Sequence, residues 1–301
     1  MEHGKCACVI INFNDAETTA ALVKRIQSYD CIRSVLVVDN CSTDDSLAKL
    51  NELEDRNKLV VLKTEYNGGY GYGNNFGVRY AYEVLGERNV LIVNPDVTFS
   101  ESCLIACLDE LRRGEEIAVV SPVQYDSNGN PVPQFAWNLG SGLRHLASCE
   151  FFLRHTLFPL PCVKADMSAD RAFVDCVPGS YLLVDAEKFL LSGGYHPDMF
   201  LYWEETLLGH RIKRSGGKTV LLPRQAYYHR HSVSVNKSVP QTVVQRQIQH
   251  NSLLICLREV WGYGKIRLTL ARWFLKLCLA EEKVLAKCKL MISGRSNAHD
   301  V

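Results

Sequence analysis

The run Leu91-Ile92-Val93 stops abruptly at Asn94-Pro95-Asp96. Two readings compete for that stop. Asn-Pro-Asp makes a turn, because proline lacks an N–H and the flanking side chains hydrogen-bond locally. Alternatively, Asp96 sits at a rigid strand end to grip a divalent cation and a phosphate. Asp39 closes a second apolar run, Val35-Leu36-Val37-Val38. Its carboxylate can accept the imide N–H of a pyrimidine base, with Asn40 serving a ring carbonyl, or it can cap the helix that follows. Glu204 and Glu205 follow Trp203 at a helix start. Acids are ordinary partners of the helix dipole there. One of them can equally act as a general base beside an indole that stacks on a sugar face. In the stretch YYHRHSVS, His229 or His231 offers a neutral imidazole that could complete a metal site begun by Asp96. A histidine in a tyrosine-rich strand is also commonly structural.

Residues 67–77, NGGYGYGNNFG, hold five glycines, two tyrosines and three asparagines. Such a loop between strand and helix lets backbone N–H groups approach phosphates. It lacks the Lys-Ser/Thr ending of a phosphate-binding P-loop and the order G-x-G-x-x-G, which argues against a dinucleotide fold. A surface loop remains the plain alternative.

These residues need a frame to bring them together. Short apolar runs at 7–13, 34–39, 59–63, 89–94 and 117–123 read as buried strands. Helical spacing marks 16–29, the segment after Ser42-Thr43, 75–85 and 101–113. Alternation of fully apolar strands with helices indicates an α/β fold with a mostly parallel sheet covered on both faces. Ligands bind beyond the carboxyl ends of such strands. That places Phe13-Asn14, Asp39-Asn40 and Asn94-Pro95-Asp96 along one edge, which turns alone explain poorly.

After residue 125 the pattern changes. Residues 130–172 are irregular, and 173–185 resume as strand interrupted at Pro178-Gly179-Ser180. A helix is expected over 204–214, two short strands at KTVLLP and AYYHRH, and basic amphipathic helices from 241 to about 290.

The chain has 301 residues, 47% hydrophobic and 22% charged, enough for a sizeable core. A net charge of +1 argues against a nucleic-acid-binding surface. Residues 258–295 nevertheless hold nine Lys/Arg and three acids, a local +6. Twelve scattered cysteines with no CxxC pair suit small buried thiols in a reducing cytoplasm. The start of the chain leads straight into a strand-like run without the series of features that marks a leader. No stretch reaches the roughly 20 apolar residues of a membrane span.

In order along the chain, VIINFND, VVDNCSTDDS, NGGYGYGNNFG, NPDV, VPGSYLLV, GGYHPDMFLYWEE, Arg211 and His229 resemble the family 2 glycosyltransferases, in their rhamnosyltransferase-like branch. The resemblance runs from about residue 7 to 236. It implies a Rossmann-like GT-A domain over 1–239, with a donor-binding part to about 125 and an acceptor-binding part beyond it, and a helical extension over 240–301. It implies an inverting, metal-dependent transfer from a nucleotide-diphosphate sugar, dTDP-rhamnose favoured over a UDP-hexose.

By that resemblance Phe13, Asn14, Glu17, Asp39 and Asn40 hold base and ribose, and Gly68, Gly69, Asn74 and Asn75 lie against the donor. Asn94 and Asp96 occupy the Asp-x-Asp position, with Asp96 and His229 (His231 as fallback) on Mg²⁺ or Mn²⁺. Glu205 stands as the catalytic base in place of the usual Asp, and Leu207 replaces another acid. The acceptor, a glycan or polyprenyl-linked hydroxyl in surface polysaccharide assembly, is expected against Gly179, Ser180, Trp203 and Glu204.

Inversion is a single in-line displacement and needs one base opposite the leaving group. Glycoside hydrolysis would need two flanking carboxyls, which adjacent Glu204 and Glu205 cannot provide. A nucleotidyltransferase would carry a basic Gly-rich loop near the first strand, which ACVIINFNDAET lacks. A catalytically silent relative acting as a membrane-associated assembly partner stays open, as does a homo-oligomer. The C-terminal helices pack on protein or rest on an anionic membrane surface, so the expected location is cytoplasmic, with peripheral contact at the inner face of the membrane.

Overall fold

The computed structural model describes residues 4–53, 58–150, 163, 166–229 and 242–296. They form two compact units, Met1–Leu139 with Pro161–Ser238, and Gly140–Leu160 with Val239–Val301.

The first unit is built on a nine-stranded sheet. Its strands are β1 (Cys6–Asn12), β2 (Ile32–Asp39), β3 (Leu59–Lys63), β4 (Asn89–Val93), β5 (Val97–Thr98), β6 (Ile117–Tyr125), β7 (Ala172–Val174), β8 (Tyr181–Asp185) and β9 (Lys218–His229). The order is β3-β2-β1-β4-β8-β6-β9-β5, with β7 also on β9. The half β3-β2-β1-β4 is parallel throughout. β8 runs antiparallel between β4 and β6, and β9 rejoins β6 in parallel. This is the α/β architecture that the alternating apolar runs call for.

Side chains alternate across the sheet with the strand period of two. Cys6, Cys8 and Ile10 of β1 face α1 (Ala16–Ile26) and α4 (Glu101–Leu111), packing with Leu22, Val23, Leu104 and Leu108. Ala7 and Val9 point the other way, into a core shared with Val78, Ala81, Phe189 and Ile212. Burial on both faces is the reason that these strands carry no polar alternation. A short helix, α2 (Ser46–Asn51), follows β2.

α3 spans Tyr70–Glu83, so it begins five residues before the expected 75. Glycine normally disfavours a helix by about 1 kcal/mol relative to alanine. Here the absent Cβ is what lets the helix approach the sheet. A Cβ at Gly77 would lie 2.4 Å from Val9 Cγ1, one at Gly73 2.9 Å from Ile11 Cδ1, and one at Gly71 2.7 Å from Tyr195 Cβ. Close tertiary packing overrides local propensity.

KTVLLP and the described part of AYYHRH, Ala226–His229, are also not two strands. They fuse into β9, whose register against β6 shifts between Pro122 and Val123. Leu222 and Ala226 therefore pair with neighbouring residues, and Pro223 falls in the bulge, where a missing N–H is tolerated. β8 leads into α6 (Ala186–Leu191), and α7 (Glu204–Arg214) precedes β9.

The second unit holds α5 (Gly142–Ala147), α8 (Thr242–Glu259) and α9 (Lys265–Ser296). Trp261, between α8 and α9, donates its indole N–H to Gly140 O at 2.6 Å, and Arg246 pairs with Glu282 at 2.8 Å. Among the described residues no helix is long and apolar enough to cross a membrane. The cysteines whose side chains are described are free thiols, mostly buried, as their scatter through apolar runs suggests.

Replacing Gly77 by alanine is expected to destabilise the fold by about 1–3 kcal/mol through overpacking against Val9. Urea unfolding tests this as a lower midpoint with an unchanged slope. An unchanged midpoint would refute the close-packing account of α3.

Candidate active site

The carboxyl ends of β1 and β2 are tied together by side chains. Asn12 donates to Asp39 Oδ1 at 2.8 Å, and the Ser42 hydroxyl donates to the same oxygen. Ser42 N–H donates to Asp39 Oδ2 at 3.0 Å. Asp39 is fully buried, and these bonds occupy both of its oxygens. Asn14, held at φ 53°, accepts Thr43 N–H at 2.8 Å and closes the same knot from the other side.

Asn40 extends the knot to the glycine-rich turn, donating to Asn67 Oδ1 and Gly69 O at 3.0 Å each. Gly69 has φ 87°, and a Cβ there would lie 2.0 Å from Phe200 O, so this position requires glycine. Gly68 lies beside the Tyr72 ring. A cavity of about 140 Å³ opens here, lined by Phe13, Asp15, Asn40, Gly69, Tyr70 and Asn94 among others. Three of the polar strand ends expected along one edge thus do meet.

Glu17, Asn74 and Asn75 are not among the residues that line this cavity. Glu17 is exposed on the first turn of α1. Asn74 is buried and bonds Tyr70 O at 3.1 Å. Asn75 clasps the Tyr195 backbone, donating to its O at 2.9 Å and accepting from its N at 3.0 Å.

The second cluster lies at the tip of β4. Antiparallel pairing of β5 with β9 sets Val97 opposite His229. That register brings His229 Nε2 to 3.0 Å from Asp96 Oδ1, with both residues buried. His231 lies outside the described residues. Behind the ring, His229 Nδ1 is 3.1 Å from Gln124 Nε2. Gln124 Oε1 accepts from the Tyr227 hydroxyl at 3.1 Å, and Tyr227 meets the Ser180 hydroxyl at 2.8 Å.

An amide reads alike in either orientation. In one orientation Gln124 donates to Nδ1, which leaves the imidazole proton on Nε2. With the amide turned over, Nδ1–H donates to Gln124 and Nε2 presents a lone pair, the arrangement usual for a metal-ligating histidine. A carboxylate and an imidazole at contact distance form an N/O donor set that suits a divalent cation. Among the described residues no group of three or more His, Cys, Asp or Glu could hold a metal. The pair fits a cation whose remaining ligands come from a bound phosphate and water.

The third cluster is the start of α7. Tyr202 and Trp203 both have left-handed backbone, φ 70° and 68°, two consecutive non-glycine residues in a conformation that costs about 1–3 kcal/mol each. This kink turns Glu205 back toward the Pro178-Gly179-Ser180 interruption. Glu205 Oε1 accepts Gly179 N–H at 3.0 Å, while Gly179 O accepts the Tyr70 hydroxyl at 2.6 Å. A Cβ at Gly179 would lie 2.9 Å from Glu205 Oε1, so only glycine permits the contact without displacement.

Burial raises the pKa of Glu205, partly offset by the hydrogen bonds it accepts from backbone N–H groups. Burial, then repulsion from Glu205, pushes Glu204 well above the carboxylate range. Glu204 Oε1 has no hydrogen-bond partner among the described residues. Trp203 remains partly exposed, whereas Ser180 and Glu204 are buried, which makes them supports of the site more than surface contacts. Leu207 is buried, and Arg211 binds the carbonyls of Gly193 and Gly194 at 2.9 Å each. The sequence reasoning missed Asp15, Tyr70, Gln124 and Tyr227. The one signal for Gln124 is a polar residue inside the apolar run of β6.

A strand-edge cavity, a buried carboxylate–imidazole pair and a single carboxylate braced by a backbone amide thus lie on one α/β sheet domain. The family model for glycosyl transferase family 2 matches residues 7–158, and the chain belongs to that family. It is 25% identical over 207 residues to a low-salt glycan biosynthesis hexosyltransferase, Agl10, of Haloferax volcanii, covering 68% of this chain and 61% of that one. It thus spans less than two thirds of that relative's length. It is 26% identical over 249 residues to an N-acetylglucosaminyl-diphospho-decaprenol L-rhamnosyltransferase of Mycobacterium tuberculosis, covering 79% of each. The fold matches that of a Pyrobaculum calidifontis mannosyltransferase solved with GDP-Man and Mn²⁺, with TM-score 0.59, 15% identity, and coverage of 99% of this chain and 81% of that one.

The Glu204 pKa carries a stability consequence. A raised folded value means that the fold binds more protons than the unfolded chain above the ordinary glutamate pKa of about 4.3. Stability therefore falls as pH rises from there toward the folded value. Glu204→Gln should flatten the decline of melting temperature between about pH 5 and 7. Parallel wild-type and variant curves would contradict a buried, proton-holding Glu204.

Proposed function

We propose that this chain transfers a sugar, with inversion, from a nucleotide-diphosphate donor to a hydroxyl of a glycan or polyprenyl-linked acceptor in surface polysaccharide assembly. The observation that carries the reading is Glu205. It is one partly buried carboxylate, oriented by Gly179 N–H, on the same backbone segment that receives Asn94 N–H through Ser180 O at 3.0 Å. The candidate base and the candidate phosphate end of β4 are therefore braced by adjacent peptides. Dehydration raises the proton affinity of Glu205, which suits a group that must take a proton from a weakly acidic hydroxyl.

Asp96 and His229 would hold a divalent cation, which when bound neutralises charge on the departing diphosphate. Asn40, Phe13 and Gly69 line the cavity that would take the nucleotide, with Gly68 beside it in the chain, and the partly exposed Trp203 would meet the acceptor. The identity of the mycobacterial relative as an L-rhamnosyltransferase acting on a decaprenyl-linked acceptor supports dTDP-rhamnose as donor. The Mn²⁺ bound to the Pyrobaculum enzyme supports a metal in this fold.

A thermal-shift titration of dTDP, UDP and their sugars, with Mn²⁺, Mg²⁺ or EDTA, tests the reading. A ligand that binds the native state alone raises the melting temperature according to its concentration over Kd. Asp96→Ala is expected to abolish the metal-dependent shift. Glu205→Gln should keep the shift and lose transfer by about 10²–10⁴-fold, the usual worth of a general base. Wild-type transfer should rise with pH as Glu205 ionises, over a range above the ordinary glutamate pKa. Metal-dependent binding without turnover in the wild type would reassign the chain as a silent assembly partner. Equal loss of binding and transfer in folded Glu205→Gln would remove Glu205 from the role of base.

A further inference from the structure

Over residues 265–284 the outward face of α9 carries an apolar stripe. Ile266, Leu270, Trp273, Leu277 and Val284 are 79, 63, 63, 68 and 59% exposed. Their spacing of 4, 3, 4 and 7 residues puts them in one stripe of a helix. The opposite face is the packed one, with Ala271, Leu275 and Cys278 buried. Soluble helices place charge on the solvent side, so this helix carries two apolar faces where packing needs one.

Beside the stripe runs a row of cations. Lys265, Arg272, Lys276 and Lys283 are exposed and repeat the spacing of Ile266, Trp273, Leu277 and Val284 shifted by one residue. The two rows are therefore parallel along the helix, and Lys276 Nζ lies 5.3 Å from the centre of the Trp273 ring. Arg267 stands on the other side of the stripe, over the Tyr263 ring at 5.9 Å. Glu282, an acid on the packed side, is already neutralised by Arg246. The stripe also opens into a cavity of about 780 Å³ within the same unit, between Leu143, Leu146, Trp261, Leu270 and Phe274, with Arg267 on its wall.

We propose that this face of α9 lies on an anionic lipid bilayer, its apolar stripe at the boundary of headgroups and acyl chains and its basic row on the headgroups. The charge pattern selects this occupant. A second copy packed antiparallel on the stripe would bring like-charged rows together, whereas an anionic surface complements the row along its whole length. Leu143, 64% exposed, widens the apolar surface beside the cavity, whose volume is free to admit part of a lipid chain. The attachment rests on α9 and its neighbours in this unit and is independent of the sugar-transfer reading.

Flotation of the full chain with phosphatidylcholine vesicles, with and without phosphatidylglycerol, tests the proposal. The wild type should float with the anionic vesicles alone and be released at about 0.5 M salt, where screening shortens to a few ångströms. Trp273→Glu with Leu277→Glu, and separately Arg272→Glu with Lys276→Glu, should each lower partitioning by about tenfold or more. All four positions are exposed, so melting temperature and donor binding should stay at wild-type values. Equal flotation on neutral vesicles, no flotation, or wild-type flotation by both folded variants would overturn the proposal. So would a wild-type dimer in sedimentation that Trp273→Glu with Leu277→Glu dissociates without lipid, which would give the stripe to a second copy.

Discussion

The peptide at Gly179 is the point on which the site hangs. Its carbonyl takes the Tyr70 hydroxyl and its N–H gives to Glu205, so one backbone unit joins α3 to α7. One residue on, Ser180 reaches β4 through its carbonyl and Tyr227 through its hydroxyl, and Tyr227 continues through Gln124 to His229. Glu205 and the Asp96–His229 pair thus share a scaffold of hydrogen bonds two residues wide. A partner lost anywhere along this buried chain is costly, because no water replaces it.

That scaffold requires strand registers to be right. Val93 pairs with Tyr181, which carries Asn94 to Ser180, and Val97 pairs with His229, which carries Asp96 to the imidazole. A slip of one residue would turn His229 to the opposite face of the sheet. The apolar alternation of β8 and β9 against two distinct cores therefore fixes chemistry as well as topology. The knot at Asn12, Asp39 and Ser42 does the same for the β1 and β2 ends, making Asp39 an organiser of the Asn14–Thr43 loop in this geometry.

What was legible in the sequence follows the range of the forces involved. The tips Asn94, Asp96 and Asn40 are legible because a buried strand ending in polar residues is a local pattern. Glu205 is legible as an acid at a helix start, but its bond to Gly179 spans 26 positions and leaves no local trace. The start of α3 was misread because glycine's helix penalty is local, whereas its benefit against Val9 and Ile11 is tertiary. Gln124 and Tyr227 were missed for the same reason: their partners lie 47 to 105 positions away. Asn75 shows the converse, a polar residue in a conspicuous motif whose partner is the backbone of Tyr195.

The start of α7 sets two effects against each other. A first-turn acid is favoured in its charged form by the helix dipole and by backbone donors, and both pull the pKa down. Burial pulls it up, and burial prevails at both Glu204 and Glu205. Glu205 keeps two backbone bonds and stays partly exposed, while Glu204 is enclosed with one oxygen unpartnered. The left-handed pair Tyr202-Trp203 is the backbone cost of this division of roles. Without that kink, helical geometry would not direct Glu205 at Gly179 while turning Glu204 inward.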